Sequence, residues 1–279
     1  RGTNNFTPSD SSLIDNVKIS NNNGSYGLVF WGGVPTLTNS LIVNNEDGGV
    51  WAFSNSSGDK TLILGHNILV ADNSGYGLIL NRTDILFNSV TLAFNAGAGI
   101  SCFNNSDPSI VNSIVWGTEA NSIQLNDEYS SVSAEYSDVK GGWAGTGNIS
   151  MDPLFIDPSS WNHVGTDYRL SDYSPCLGAA LDTTIISSTD IDGNPRPNPS
   201  GSNPDIGAYE NVFGTPQHMP ITINIPDDYT TIQAGLNAAD STDTVLVQPG
   251  TFYENIFWPE TNGITLMSAG DSSNTIIDG

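Results

Sequence analysis

Residues 67–80, "NILVADNSGYGLIL", carry a pattern that returns through the first half of the chain. Ile68 and Val70 are apolar residues two apart, the period of a strand with one buried face. The polar turn "DNSGYG" (72–77) follows, and Gly77-Leu78 then opens a second apolar run. The same order stands upstream in "NVKISNNNGSYGL" (16–28) and "SLIVNNEDGGV" (40–50), and downstream in "SVTLAFNAGAGI" (89–100) and "SIVW" (113–116). Aligning the first strands on Val17, Leu41, Ile68, Val90 and Ile114 gives starts 24, 27, 22 and 24 residues apart. Asn or Ser precedes each (Asn16, Ser40, Asn67, Ser89, Ser113), and a Gly opens the second strand at Gly27, Gly49, Gly77 and Gly99, with Ser122 in the fifth copy.

A unit of 22–27 residues with two or three short strands buries its apolar face only by stacking on copies of itself. The Gly, Asn and β-branched content excludes helical repeats, and no fixed Leu/Asn consensus supports a leucine-rich repeat. The expected fold is all-β, a parallel β-helix with apolar pairs inside, right-handed by the general crossover rule. Stacked Asn amides should form ladders at the turns, and Gly is expected to take positive-φ corners.

Further along stand "GNISMDPLFID" (147–157), "DYRLSDYSPCLGAA" (167–180), "DIDGNPRP" (190–197) and "DIGAYE" (205–210). With the coils before them, these segments resemble the right-handed parallel β-helix repeat proteins of microbial surfaces, relatives of the pectate lyases. The resemblance implies that 1–146 are coils and 147–211 their closing segment. "VFGTPQHMP" (212–220) is linker-like, with Gly, two Pro and no periodicity. "INIPDDYTTIQAGLNAADSTDTVLVQPGTFYENI" (223–256) resembles the opening of another β-helix, of the pectin-methylesterase-like type, so 221–279 should be a cap and first coils. A short helix is expected near 230–240, started by a Thr230/Gln233 capping box and buried through Ile232, Leu236 and Ala239. Strands are expected at 244–248, 253–257, 264–268 and 275–278.

The chain has 279 residues, with 7 Lys plus Arg against 30 Asp plus Glu, a formal net charge of −23. Such a charge repels nucleic acid and anionic membrane surfaces, and no apolar run reaches the ~18 residues of a membrane span. The Lys-poor, Asn/Ser/Thr/Gly-rich composition points to an extracellular or cell-surface setting. The chain begins with Arg1, as expected of a processed product or an excerpt of a longer polypeptide.

Catalytic constellations are sparse. Lys18, Lys60 and Arg82 do not align on one face, and Arg169 and Arg196 should pair with nearby acids such as Asp167 or Asp192. His66, His163 and His218 are dispersed, and His66 should make a structural hydrogen bond. Cys102 and Cys176 match no metal spacing; Cys102 is expected to be a buried thiol. No cofactor is required by these residues. Ca²⁺ is the one candidate, at Asp190 and Asp192 of "DIDGN", a run shorter than an EF-hand loop. Among the aromatics Phe30, Trp31, Trp51, Phe53, Tyr76, Trp116 and Trp143, parity places Phe30 and Phe53 inside and Trp31 and Trp51 outside, the latter two as glycan- or protein-contact candidates.

Three functions are open: a structural or adhesive surface protein stacking end to end, a polysaccharide lyase or hydrolase, and a glycan-binding module. For the first, Ile264, Leu266, Ile276 and Ile277 of one copy would dock on Leu13, Val17 and Ile19 of the next, since uncovered strand edges recruit other strands.

Overall fold

The computed structural model describes residues 12–54, 60–117, 122–158, 167–182 and 187–279. Arg1 and His163 lie outside the described residues. The chain divides into two compact units, 1–216 and 217–279.

The first unit is a right-handed parallel β-helix. One sheet of nine strands runs from Leu13–Asp15 through Thr36–Val43, Thr61–Ala71 and Thr83–Ala93 to Ser109–Val111 and Ser133–Glu135, with Lys18–Ser20, Ile114–Trp116 and Asp138–Val139 alongside. The second sheet stacks Tyr26–Trp31, Gly48–Phe53, Tyr76–Asn81, Ile100–Phe103 and Ile123–Leu125 in parallel. Between them lies a bore filled by Ile42, Val70, Leu92 and Val115 from the first sheet and by Leu78, Leu80, Ile100 and Cys102 from the second. Trp143 packs on this core, donating its indole N–H to the Val132 carbonyl at 3.1 Å, so it belongs to the interior and not to a surface platform.

The corners are set by side-chain chemistry. The first sheet bends where Asn16, Asn39, Asn67, Ser89 and Asn112 take φ between 47 and 55°, a region in which Asn is enriched because its short polar side chain bonds locally. One turn later, Asn22, Asn45, Asn73 and Asn95 form a ladder. Each Nδ2 donates to the Oδ1 of the next at 2.7, 2.9 and 2.8 Å. Asn45, Asn73 and Asn95 also donate Nδ2 to the carbonyls of Ile19, Ile42 and Val70.

This ladder gives the glycine column a different cause from the one expected. Gly27, Gly49, Gly77 and Gly99 are not among the positive-φ residues. A Cβ on Gly27 would lie 2.6 Å from Asn45 Nδ2, and one on Gly49 would lie 2.3 Å from Val70 Cγ1. Close approach of the next coil, not a left-handed backbone, requires glycine here.

The coil register also differs from the simple alignment. Ile68 pairs with Val90, but Leu41 pairs with Lys18 and Leu69, and Ile114 with Thr91. The slip arises because outward residues of this sheet are also apolar, and they are covered. Ile149 still adds to the stack, bridging Asp138 in parallel, but the described residues from Phe155 to Asn211 do not. They fold back along the outer face of the first sheet as a strap, where Phe155, Tyr168, Leu170, Leu177 and Ile206 bury Leu69, Ala71, Ala93 and Ile114. Tyr168 Oη donates to Asp72 at 2.7 Å, Ala208 N to Thr91 Oγ1 at 3.0 Å, and Asn67 Nδ2 to the Thr189 carbonyl at 2.8 Å. Asn112 and Leu181 exchange two hydrogen bonds.

The second unit has its own small core of Ile223, Ile225, Ile232, Leu236, Val245 and Val247. Parallel strands Thr222–Ile225, Thr244–Val247 and Thr265–Ser268 form one sheet, and Gly250–Phe252 and Thr275–Ile277 another. The helix is Ile232–Ala238, and its cap is Thr231 instead of Thr230: Thr231 Oγ1 accepts the Ala234 N–H at 3.1 Å. Glu254 completes the cap by accepting the N–H groups of Ile232 and Gln233 at 2.8 and 2.9 Å. That contact explains why 253–257 is not the expected strand. Phe257 N donates to Gln233 Oε1, which holds this segment along the helix start.

Candidate functional site

The outer face of the second sheet carries a run of neighbouring rings. Strand alternation places Val29, Trp51, Ile79, Ser101 and Gln124 in one outward row, and Trp31, Phe53, Asn81 and Phe103 in the next. Trp31 is 65% exposed, Val29 46% and Trp51 36%. Phe53 is outward and half-buried, not interior, because it shares the parity of Trp51; Phe30 is inward as expected.

Four rings join into a continuous chain. Centroids of Tyr26 and Trp51 are 5.4 Å apart, Trp51 and Phe53 4.8 Å, and Phe53 and Trp31 5.2 Å, with interplanar angles of 34–43°. Phe53 and Trp31 are direct cross-strand partners on strands about 4.8 Å apart,, whereas Trp51 and Phe53 neighbour each other along one strand. Tyr26 reaches Trp51 by lying over Gly48, where a Cβ would come within 2.8 Å of the Tyr26 ring. Partial burial, with Asp47 and Tyr76 nearby, holds the Tyr26 hydroxyl above the ordinary tyrosine range. The rings offer flat apolar surface for the C–H faces of sugars, and hydroxyl and indole N–H groups at their edges. Trp116 is not part of this face; it lies under the Lys140 ammonium at 6.0 Å.

A second feature is a cleft of about 420 Å³ between the first coils and the strap, lined by Lys18, Leu41, Asp72, Asp167, Arg169 and Tyr209 among others. Arg169 forks onto Asp167, with Nε 2.9 Å from Oδ1. That contact holds the Asp167 carboxyl below the usual carboxylate range. Lys18 is exposed, on the rim, with no ion-pair partner among the described residues.

The remaining candidate residues serve the scaffold. Lys60 bridges Asp84 at 3.0 Å and Asp107 at 2.6 Å. Arg196 is buried and pairs with Glu210 at 3.3 Å, not with Asp192. Asp190 Oδ1 accepts the N–H groups of Asp192 and Asn194, and Oδ2 accepts Asn194 Nδ2 and Glu210 N. Four donors thus take up the carboxylate that was the first Ca²⁺ candidate, while Asp192 is exposed beside it. Among the described residues no group of three His, Cys, Asp or Glu side chains is placed to hold a metal ion. His66 pairs in the ladder with Thr38 and Asn88, its ring makes none of the expected hydrogen bonds to a described residue, and burial lowers its pKa. His218 bonds Asp243 at 2.7 Å. Cys102 is fully buried and free, its thiol pushed up to about 12 by burial. Cys176 is free too, 3.4 Å from Asp138.

Of the residues proposed for assembly, Leu13 and Val17 are exposed, Ile19 and Leu266 half-buried, Ile264 buried, and Ile276 and Ile277 about half exposed. No helix among the described residues is long and apolar enough to cross a membrane.

Residues 5–138 match the family model described as the right handed beta helix region. Comparison with curated proteins finds no match, and neither does comparison with solved structures. Coils, ladders and the matched region agree on the fold, and the described coils of the first unit form a parallel β-helix built of repeats.

Proposed function

We propose that the protein is a structural and adhesive module of a cell surface, a stiff β-helix that presents a carbohydrate-contact face on its second sheet. The observation that carries this reading is the chain of four rings from Tyr26 to Trp31 on an exposed sheet. A contiguous exposed apolar patch on a folded protein marks an interaction site. The acidic, Lys-poor surface suits the space outside the cell, where it disfavours nucleic acid and anionic lipid. The alternative of a polysaccharide lyase or hydrolase has less support, because Lys60, Arg169 and Arg196 are engaged in ion pairs. Retention of the intact protein on immobilised polysaccharides tests the reading: wild type should be retained, and Trp31→Ala and Trp51→Ala should not. Equal retention of all three proteins would remove the face from the account.

A specific observation favours a second reading, end-to-end stacking. Thr265–Ser268 and Thr275–Ile277 each pair on one side only among the described residues, with Ile276 and Ile277 half exposed. Edge strands accept further strands, and Leu13–Asp15 and Lys18–Ser20 of another copy would supply them. Sedimentation over a concentration series should show association that Ile276→Asp abolishes; a monomer at every concentration would end this reading.

A further inference from the structure

Resting on the reading of the aromatic face as a carbohydrate surface, we infer that its ligand is a neutral oligosaccharide or polysaccharide, bound across the first two coils, and not an acidic glycan. The outward rows of the second sheet contain no Lys, Arg, Asp or Glu from Val29 and Trp31 through Gln124 and Phe103. The chain as a whole carries 37 such residues, so the bare face is a local exception. An anionic sugar would find no cation to offset its desolvation there, and it would approach a molecule of net charge −23,. The cations with a described acid partner are held elsewhere: Lys60 by Asp84 and Asp107, Arg169 by Asp167, and Arg196 by Glu210.

The size of the ligand follows from the ring chain. Tyr26 and Trp31 stand at the two ends of one strand, about 16 Å apart along it,, and Trp51 and Phe53 lie on the next strand, so the platform is longer than one sugar ring and an oligosaccharide covers it better than a monosaccharide. Along the same rows the chemistry changes from aromatic to amide. Asn81 follows Phe53, and Gln124 closes the row that begins at Val29 and Trp51. Asn81 Oδ1 accepts from Asn104, and its Nδ2 remains a donor of the kind that bonds sugar hydroxyls,. Flat apolar surface for stacking beside uncharged hydrogen-bonding groups is the composition of a site for a polar, uncharged ring polymer.

The test is affinity electrophoresis of the intact protein in gels containing xylan, a soluble β-glucan or a polyuronate, at low and at physiological salt. The expected result is retardation by a neutral polymer, insensitive to salt, and weakened about tenfold in Trp51→Ala, the loss of roughly one ring contact. Tyr129→Ala removes a more exposed ring outside the two rows and should keep wild-type retardation. Retardation by the polyuronate as strong as by the neutral polymers would overturn the neutral class while leaving the carbohydrate face standing. Absence of retardation by every polymer would overturn both. Self-association lost in Trp31→Ala and Trp51→Ala, with no polymer bound, would reassign the face to contact between copies.

Discussion

The side chain of Asn73 makes four hydrogen bonds, two accepted from Asn45 and two donated to Ile42 and Asn95. All lie in the dry interior, where a buried polar group left without its partner costs about 1–3 kcal/mol. Asn73→Ala is therefore expected to lower stability by about 3 kcal/mol, measured by urea denaturation, whereas Asn23→Ala on the exposed turn should stay within about 0.5 kcal/mol. Gly49→Ala should be comparably harmful, since its methyl would meet Val70 and the Gly77 carbonyl,. The buried carboxyls of the strap give a second expectation. Burial pushes Asp205 up to about 7 and Glu210 up to about 8. A raised carboxyl favours the folded state while protonated, so this contribution is complete below the ordinary carboxylate range and fades as pH rises through 7 and 8. Asp107 and Asp167 act in the opposite sense: their cationic partners depress them, and their contribution is lost in acid. Urea midpoints should therefore fall between pH 5 and pH 9, and Glu210→Gln should flatten the fall; a midpoint that rises over this range would contradict the assignment.

Helix, strands and strap differ in how far their sequences announce them. The coils are legible because inward residues repeat at period two and the whole unit recurs. Their register is less so. Leu41-Ile42-Val43 is apolar at three successive positions, since the strap covers the outward Leu41 and Val43 as the bore covers the inward Ile42, and alternation is lost. The strap's packing is invisible to periodicity because single contacts at long range hold it, such as Tyr168 to Asp72. Phe53 is expected inside by parity, but it stands two residues from Trp51 on one strand and so shares its outward face. In the second unit, Ile232, Leu236 and Ala239 mark the helix face correctly, but its start depends on Glu254, too distant for a capping motif to include. Glu254→Ala should lower the melting temperature of this unit, by about 1 kcal/mol of stability at the cap, and leave the first unit's transition in place.

At the scale of the whole molecule, the two units have separate cores, and the segment between them, residues 212–220, is largely exposed. Limited chymotrypsin digestion should cut first near Phe213 or Met219, and heating should show two transitions, the smaller unit melting first because it buries less apolar surface. One transition shared by both units would show that they fold as one. The amide ladder has a consequence for how such a chain changes length. Every interior rung donates upward and accepts from below in the same way, so a rung does not register how many others exist. Duplicating or deleting one entire rung-bearing turn restores every amide to an equivalent neighbour, whereas a single residue added at the corner shifts all the partners beyond it. Lineages of this molecule should therefore grow and shrink by whole turns, with the tall axis as their adjustable dimension and the cross-section held constant.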